Sequence, residues 1–187
     1  MDEKLVIKQC LNGRNEYFEP LVSKYEQPLY RYCLHLCNDR NDAMDLFQET
    51  WLKAVSKIHR YDDNHLFKTW LFSIATNEYR DRYRRAMRRR PYNLFFSNAD
   101  DKSLVMNRME STEKQPDATL EEKEFQSLVK AEVGRLKWDY RTVVVLHYFE
   151  EMGLREISNV LNIPVGTVKS RLYHARGLLK TRMEMIL

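Results

Sequence analysis

The sequence predicts an all-α protein made of two small helical domains. Glycine and proline are scarce, with five of each among 187 residues, and 31% of the residues are charged. Leu, Lys, Glu and Arg, which favour helices, are common, whereas no stretch shows the polar and apolar alternation of a strand. The hydrophobic fraction of 43% is enough for a buried core, so neither a collagen-like nor a largely disordered chain fits.

Apolar residues in the first half recur every three or four positions, which predicts amphipathic helices. One stripe spans residues 18–36 and a later one spans residues 67–74. Because proline suits a first helical turn but disrupts a helix interior, Pro20 predicts a helix start and Pro28 a kink or break. The residues of the later stripe that we expect in the core are Phe67, Leu71 and Ile74.

Charge divides the chain into basic, acidic and basic parts. Residues 79–90 hold seven bases and one acid, residues 98–124 hold eight acids and four bases, and residues 155–182 hold six bases and one acid. The acidic part lacks apolar periodicity, which is typical of a linker. We therefore predict an N-terminal domain at 1–92, a flexible acidic linker at 93–122 and a C-terminal domain at 123–187.

The C-terminal domain contains the pattern of a helix-turn-helix. Residues 154–161 have helical apolar spacing and stop at Asn162, which tolerates the left-handed backbone that ends helices. Pro164 discourages continuation, and a second helix can start near Val165. Its outer or flanking residues would be able to reach phosphates and base edges of duplex DNA, although a plain helical hairpin with a solvated basic face has the same periodicity. These residues are Thr167, Lys169, Ser170, Arg171, His174 and Arg176.

Two further patterns lie in the N-terminal domain. Asp45, Gln48 and Glu49 share one helical face, and such like charges suit a basic partner surface or a solvated face. After a polar loop at 59–66, one helix begins with aromatic residues and ends in an arginine run. Arginines interleaved with tyrosines can hold an unpaired nucleic-acid strand by phosphate neutralisation and base stacking, and an amide such as Asn77 can pair with a base edge.

These motifs together resemble the extracytoplasmic-function class of bacterial sigma factors, the initiation subunits of RNA polymerase. The resemblance covers nearly the whole chain apart from the linker. It is carried by Asp45-Leu46-Phe47-Gln48-Glu49-Thr50-Trp51, by Phe67-x-x-Trp70-Leu71-x-x-Ile74-Ala75-x-Asn77-x-x-x-Asp81, and by Glu156-Ile157 followed by Gly166-Thr167-Val168-Lys169-Ser170-Arg171.

The resemblance implies core RNA polymerase and promoter DNA as partners, and no catalytic residue, cofactor or metal. The first motif would bind the clamp helices of the polymerase, the loop and the Asn77 helix would open the −10 element, and the last helix would read the −35 element. The stretch 143–149 would help contact the polymerase flap. Such proteins are often held inactive by an anti-sigma factor, which nothing in this chain identifies. The implied polymerase-binding residues are Asp45, Gln48, Glu49 and Trp51, and the implied DNA-binding residues are Tyr61, Asn64, Trp70, Asn77, Arg80, Asp81, Arg84, Thr167, Lys169, Ser170, Arg171 and His174.

The chain departs from the family pattern at two positions. Lys137 stands where the family often has proline, and Ser158 replaces a commoner alanine on the first helix of the helix-turn-helix. These differences bear on how the local helix starts and how that helix packs.

Other interpretations predict different behaviour. An autonomous helix-turn-helix regulator would bind duplex DNA without a polymerase. A nuclease would need a metal-binding arrangement of carboxylates such as Asp62, Asp63, Glu78 and Asp81, which follow no metal-ligand spacing.

The cysteines bear on compartment and on metals. Cys33 and Cys37 flank His35 and allow a zinc or redox hypothesis, but their helical apolar spacing favours small core residues. An odd cysteine count, with neither a signal peptide nor a membrane-spanning run, predicts a cytoplasmic protein without membrane insertion.

Overall fold

The computed structural model describes residues 3–89 and 119–186, and the regular elements in these ranges are all helical. The predicted all-α class is thus confirmed. The α-helices are α1 (Glu3–Leu11), α2 (Phe18–Cys37), α3 (Arg40–Lys57), α4 (Phe67–Arg89), α5 (Leu120–Gly134), α6 (Trp138–Val144), α7 (Leu154–Leu161) and α8 (Val165–Glu184). Short 3₁₀ segments lie at Asn15–Tyr17 and Ile58–Arg60, and a π-helical segment at Val145–Phe149 follows α6.

Helices α1 to α4 form the N-terminal module. Helix α3 packs against both α2 and α4, and the Tyr32 ring stacks on Phe72 with 4.7 Å between centroids. The Tyr32 hydroxyl lies 2.7 Å from Thr76 Oγ1, so the polar end of this buried ring is satisfied. The prediction that Phe67, Leu71 and Ile74 are core residues is confirmed, because all three are buried.

Helix α2 corrects the prediction of a kink or break near Pro28. The helix begins at Phe18, which places Pro20 in its first turn as predicted, but it continues through Pro28 to Cys37. Proline removes one backbone hydrogen bond. The buried stripe, which includes Tyr25, Leu29 and Tyr32, anchors the helix on both sides of that position, and tertiary packing supplies most of the stability of such a helix.

Helices α5 to α8 form the C-terminal module. Thr119 and Glu122 make a reciprocal capping box that starts α5. Most of the predicted linker, 93–122, lies outside the described residues, and its last residues form this cap and first turn. The predicted helix-turn-helix is present as α7, a short turn and α8. Its turn contains Asn162 at φ 52°, in the left-handed region as predicted.

The structure explains how both departures from the family pattern are accommodated. Lys137 is the N-cap of α6 and has φ −57°, a value that a proline ring also imposes. The Ser158 hydroxyl donates a hydrogen bond of 2.5 Å to the Ile163 carbonyl, which ties α7 to the far side of the turn. The serine therefore supports the turn.

We predict that Lys137→Pro raises the free energy of unfolding by about 0.4–1 kcal/mol, because proline would restrict the unfolded chain at a backbone angle already suited to it. Chemical denaturation of the two proteins measures the difference. Lys130→Pro, which places the same residue inside α5, is the control and should destabilise by about 3 kcal/mol. A lower stability for Lys137→Pro would mean that the helix start is not compatible with proline.

A membrane-spanning helix is not found among the described residues, where no helix combines the required length and apolar character. Over the same residues, no group of three His, Cys, Asp or Glu side chains is placed to hold a metal ion.

Candidate polymerase and nucleic-acid interfaces

The acidic face of α3 is exposed as its sequence predicts. Asp45, Gln48 and Glu49 all face solvent. The chain itself supplies one basic neighbour, since Arg82 Nη2 lies 3.0 Å from Glu49 Oε2. Arg82 also donates a hydrogen bond to the Asp42 carbonyl. Arg82 therefore restrains the Glu49 side chain at the surface.

Trp51 differs from the other residues predicted to bind a partner. It is only 8% exposed, and its ring makes an edge contact with Phe47 at 6.5 Å between centroids. It packs from the inner side of α3, so it orients the acidic face and does not belong to it. The sequence motif could not separate these two roles, because Trp51 lies only two positions after the exposed Glu49.

An aromatic corner joins the polar loop to the start of α4. The ring centroids of Tyr61 and Trp70 are 5.4 Å apart, and Phe67 lies 5.8 Å from Tyr61 and 5.5 Å from Trp70. Tyr61 and Trp70 are half-buried, whereas Phe67 is fully buried. The Tyr61 hydroxyl donates to the His65 carbonyl. Two aromatic residues predicted to bind DNA are thus brought together, and each is partly exposed.

The loop itself is ordered by its own polar groups. The Asn64 side-chain amide donates 2.7 Å to Asp62 Oδ1, and its backbone N–H donates 3.0 Å to the same oxygen. Such a local turn fixes the backbone while leaving the Asn64 side chain exposed. The bond engages the amide nitrogen and leaves the amide oxygen of Asn64 available as an acceptor.

The basic end of α4 exposes some of the residues that the sequence predicts to bind DNA. Asn77 and Arg84 are exposed, and Arg80 and Asp81 are half-buried with Arg80 Nε 3.8 Å from Asp81 Oδ1. Tyr79, in contrast, is buried and so is not available to stack on a base. Burial raises the pKa of Tyr79 to about 12, and the nearby Arg141 guanidinium opposes that shift.

The nuclease and metal hypotheses gain no support from side-chain placement. Glu78 is buried and makes an ion pair with Lys53, so it acts in packing α4 on α3. Cys33 is fully buried, and Cys37 is half-buried. Burial raises the pKa of both thiols, that of Cys37 to about 12. Thiols held protonated are poor metal ligands and poor nucleophiles, which agrees with their predicted role as core residues.

The outer face of α8 is open. Lys169, Ser170 and His174 are exposed, and Thr167 is half-buried in the first turn. The Ser170 hydroxyl donates 3.0 Å to the Thr167 carbonyl. The opposite face, with Val168, Leu172 and Ala175, is buried. The amphipathic pattern of this helix therefore has the orientation that its sequence predicts.

Arg171 has a partner within its own module. Its Nη2 lies 3.9 Å from Asp139 Oδ2, and its guanidinium carbon lies 6.0 Å from the centre of the Trp138 ring. Its side chain is 23% exposed. Arg171 thus ties α8 to the start of α6, a contact that α8 alone could not reveal.

The stretch 143–149 presents less apolar surface than the sequence suggests. Residues Val143 to Leu146 are buried in the C-terminal core. Tyr148 is the most open residue of the stretch, with 52% of its surface exposed. Any contact of this segment with a partner would therefore depend on the π-helical turn and Tyr148.

Sequence comparison matches both modules to sigma-factor regions. Residues 21–89 match the model of sigma-70 region 2, and residues 127–179 match the model of sigma-70 region 4. The chain is 33% identical over 179 residues to the ECF RNA polymerase sigma factor SigW of Bacillus subtilis, covering 95% of both chains. It is 26% identical to the ECF RNA polymerase sigma-E factor of Haemophilus influenzae, covering 100% of this chain and 98% of the other.

Solved structures show the same fold. CnrH, in complex with the cytosolic domain of CnrY, superimposes with a TM-score of 0.68 at 23% identity, covering 98% of this chain and 97% of the other. The sigma factor RpoE of Bartonella quintana, in complex with the anti-sigma factor NepR, gives a TM-score of 0.66 at 21% identity, covering 89% and 96%. With the two matched regions in order on the two helical modules, the chain belongs to the ECF sigma factors of the sigma-70 family.

Proposed function

We propose that this sigma factor binds core RNA polymerase and directs it to promoters through two separate DNA-reading surfaces. The observation that carries the proposal is that the exposed acidic face of α3 and the open basic face of α8 lie on the two regions that define the family. The chemistry of RNA synthesis belongs to the polymerase, so we assign no catalytic residue, cofactor or metal to this chain. Its place of action is then the cytoplasm.

Binding to the polymerase is assigned to Asp45, Gln48 and Glu49. The two carboxylates give a negative surface that favours a basic partner and steers its approach. Trp51 contributes by fixing the angle of α3 from inside the core. Arg82 restrains Glu49, so the face is arranged before the partner arrives, which reduces the entropy lost on binding.

Opening of the −10 element is assigned to the aromatic corner and the outer side of α4. Aromatic rings such as Tyr61 and Trp70 offer stacking surfaces for unpaired bases. The exposed amide of Asn77 can pair with a base edge, as can the free oxygen of Asn64. The Arg80 and Arg84 guanidinium groups neutralise phosphates. Asp81 is assigned to hold Arg80 in position, given the 3.8 Å that separates their charged groups.

Reading of the −35 element is assigned to α8. Helix α7 and the turn place the N-terminal part of α8 for entry into a major groove. Lys169 reaches phosphate, while the Thr167 and Ser170 hydroxyls and His174 address base edges or phosphates. We assign Arg171 to positioning α8 through Asp139 and Trp138, in addition to any contact with DNA.

A regulatory partner is also part of the proposal. In the two solved structures compared above, CnrH is in complex with the cytosolic domain of CnrY, and the sigma factor RpoE is in complex with the anti-sigma factor NepR. We propose that a protein of that class also binds this chain.

The alternative of an autonomous regulator is tested by DNA binding with and without core polymerase. A sigma factor of this kind should bind promoter fragments well only in the presence of core polymerase. Electrophoretic mobility assays at matched salt concentration compare the two conditions. Equal affinity for duplex DNA with and without core polymerase would favour the autonomous regulator.

We predict that Lys169→Ala reduces the salt dependence of holoenzyme binding to −35 duplex DNA. The slope of log K against log salt concentration is negative, and loss of one phosphate contact should reduce its magnitude by about one. Lys180→Ala is the matched control, because Lys180 is exposed near the far end of α8 and pairs with Glu184. If the slope for Lys169→Ala equals that of the control, Lys169 does not contact a phosphate.

A further inference from the structure

Helix α1 lies outside the stretch that matches sigma-70 region 2, which covers residues 21–89, yet it is part of the N-terminal core. Its inner face is buried against the rest of the module, as Val6 and Ile7 show. The helix packs against α2 and against the 3₁₀ segment Ile58–Arg60. Because Tyr61 follows this segment directly, α1 supports the part of the chain that leads into the aromatic corner.

The first residue of α1 holds a buried tyrosine of α2. The Tyr25 hydroxyl donates a hydrogen bond of 2.9 Å to Glu3 Oε2, and Lys24 Nζ makes an ion pair with the same oxygen. Tyr25 is only 7% exposed, and burial, followed by the hydrogen bond to Glu3, holds the pKa of its hydroxyl well above the usual value. The hydroxyl therefore keeps its proton, and its hydrogen bond to a charged acceptor is stronger than one between neutral groups.

The Tyr25 ring connects α1 with the aromatic corner. Its centroid lies 5.4 Å from that of Phe67, and Phe67 in turn contacts Tyr61 at 5.8 Å and Trp70 at 5.5 Å. Phe67 is fully buried and so forms the inner side of the corner. The Glu3 carboxylate also helps to raise the pKa of Tyr61, after the larger effect of burial. Contacts thus run from Glu3 through Tyr25 and Phe67 to both rings that we assign to the −10 strand.

The orientation of these two rings matters for their assigned role. Tyr61 and Trp70 are half-buried, so the packing on their buried sides sets the angle at which their exposed parts meet a base. Tilted and edge-to-face ring pairs of this kind have preferred geometries. A ring that is already held in its binding orientation loses less entropy when the ligand binds. Weaker packing around Phe67 would therefore reduce the fraction of molecules ready to stack, and affinity falls with that fraction.

We propose that α1 supports the aromatic corner and that Glu3 and Tyr25 are positioning residues for capture of the unpaired −10 strand. The inference rests on the proposed function, because that function assigns Tyr61 and Trp70 to this strand. Glu3 and Tyr25 do not touch the strand and act through Phe67. The residues assigned to polymerase binding lie on α3, and those assigned to the −35 element lie on α8. Loss of the bond between Glu3 and Tyr25 should therefore weaken binding at the −10 element alone.

The test uses Tyr25→Phe in the full chain, assembled with core polymerase. This change keeps the ring and removes only the hydroxyl. Affinity of the holoenzyme for a labelled single-stranded −10 oligonucleotide should fall by about three- to tenfold, the factor that one hydrogen bond typically contributes. Affinity for a −35 duplex fragment, measured with the same preparation, should stay within about twofold of the parent. An equal loss on both DNAs, or no loss on the oligonucleotide, would overturn the inference.

The matched control is Tyr32→Phe on the same helix. It also removes one hydroxyl, which lies 2.7 Å from Thr76 Oγ1 in the core, but the Tyr32 ring stacks on Phe72, outside the aromatic corner. Thermal unfolding measures the loss of stability in both variants. If Tyr32→Phe weakens binding to the −10 oligonucleotide as much as Tyr25→Phe does, the effect follows from general stability and the inference fails.

Two further variants test whether the effect runs through the corner, and they decide the matter if Tyr25→Phe does not fold. Glu3→Ala should give the same selective loss at the −10 element, and combining it with Tyr25→Phe should add little, because both variants break one bond. Glu3→Ala should likewise add little to the loss caused by Trp70→Ala. Full additivity in either pair would show that Glu3 and Tyr25 do not act together through the corner.

A spectroscopic measurement separates this inference from the proposed function. The chain has three tryptophans, and incorporation of fluorinated tryptophan gives each a fluorine NMR signal that its replacement by phenylalanine assigns. In the free protein, Tyr25→Phe and Glu3→Ala should shift the Trp70 signal and leave the Trp138 signal unchanged. An unchanged Trp70 signal would overturn the support of the corner by α1. If the Trp70 signal shifts but the parent holoenzyme does not bind the −10 oligonucleotide, the support by α1 stands and the proposed function is lost.

Discussion

Replacing Asp45 with lysine is expected to reduce affinity for core RNA polymerase by about 100-fold or more. The carboxylate lies on the exposed acidic face of α3. Reversing its charge removes an attraction and places a like charge against the basic partner surface that we propose, which costs several kcal/mol. Competition against labelled parent protein for core polymerase measures the affinity.

The matched control is Glu26→Lys, which makes the same change of charge at an exposed position of α2. It should leave polymerase binding within about twofold of the parent, because surface substitutions away from an interface have small effects. Thermal unfolding should be similar for both variants. If Asp45→Lys binds core polymerase as well as Glu26→Lys does, the acidic face of α3 is not the polymerase contact.

Replacing Asn77 with alanine is expected to reduce promoter opening by about 10- to 100-fold while leaving polymerase binding nearly unchanged. A bidentate pair with a base edge contributes about 1–3 kcal/mol of discrimination. Asn77 is exposed on α4, so its removal leaves no cavity in the core. Reactivity of unpaired thymines to permanganate measures opening, and competition for core polymerase measures binding.

A promoter template with a mismatched −10 region provides the control for this prediction. Because its strands are already separated, the Asn77→Ala variant should recover part of the lost transcription on it. An equal loss of polymerase binding and strand opening would contradict the assigned role. In that case Asn77 would act by stabilising the fold or by binding the polymerase.

The parts of the fold that depend on local chemistry were predictable from the sequence. The helical class, the turn at Asn162 and the amphipathic face of α8 follow from periodicity and from the backbone preferences of single residues. Pro28 shows the limit of this reasoning. A local helix breaker lies inside α2 because buried residues on both sides hold the helix, and the identity of those contacts is tertiary information.

The candidate surfaces show the same division. The exposed acidic face of α3 and the outer residues of α8 follow from helical spacing. The burial of Trp51 and Tyr79 does not, since it depends on how α3 and α4 pack in the core. Arg141 lies far in sequence from Leu36 and Tyr79, and its contacts with them depend on how the modules meet. No local sequence pattern carries that information.

The most direct test of the central claim is run-off transcription with purified core polymerase and this protein on a library of genomic fragments, followed by mapping of the start sites. We predict transcripts from a restricted set of promoters, each with shared elements near −10 and −35, and none from these promoters with core polymerase alone. Failure to start transcription at any specific site across the library would contradict the assignment of this chain as a promoter-directing subunit.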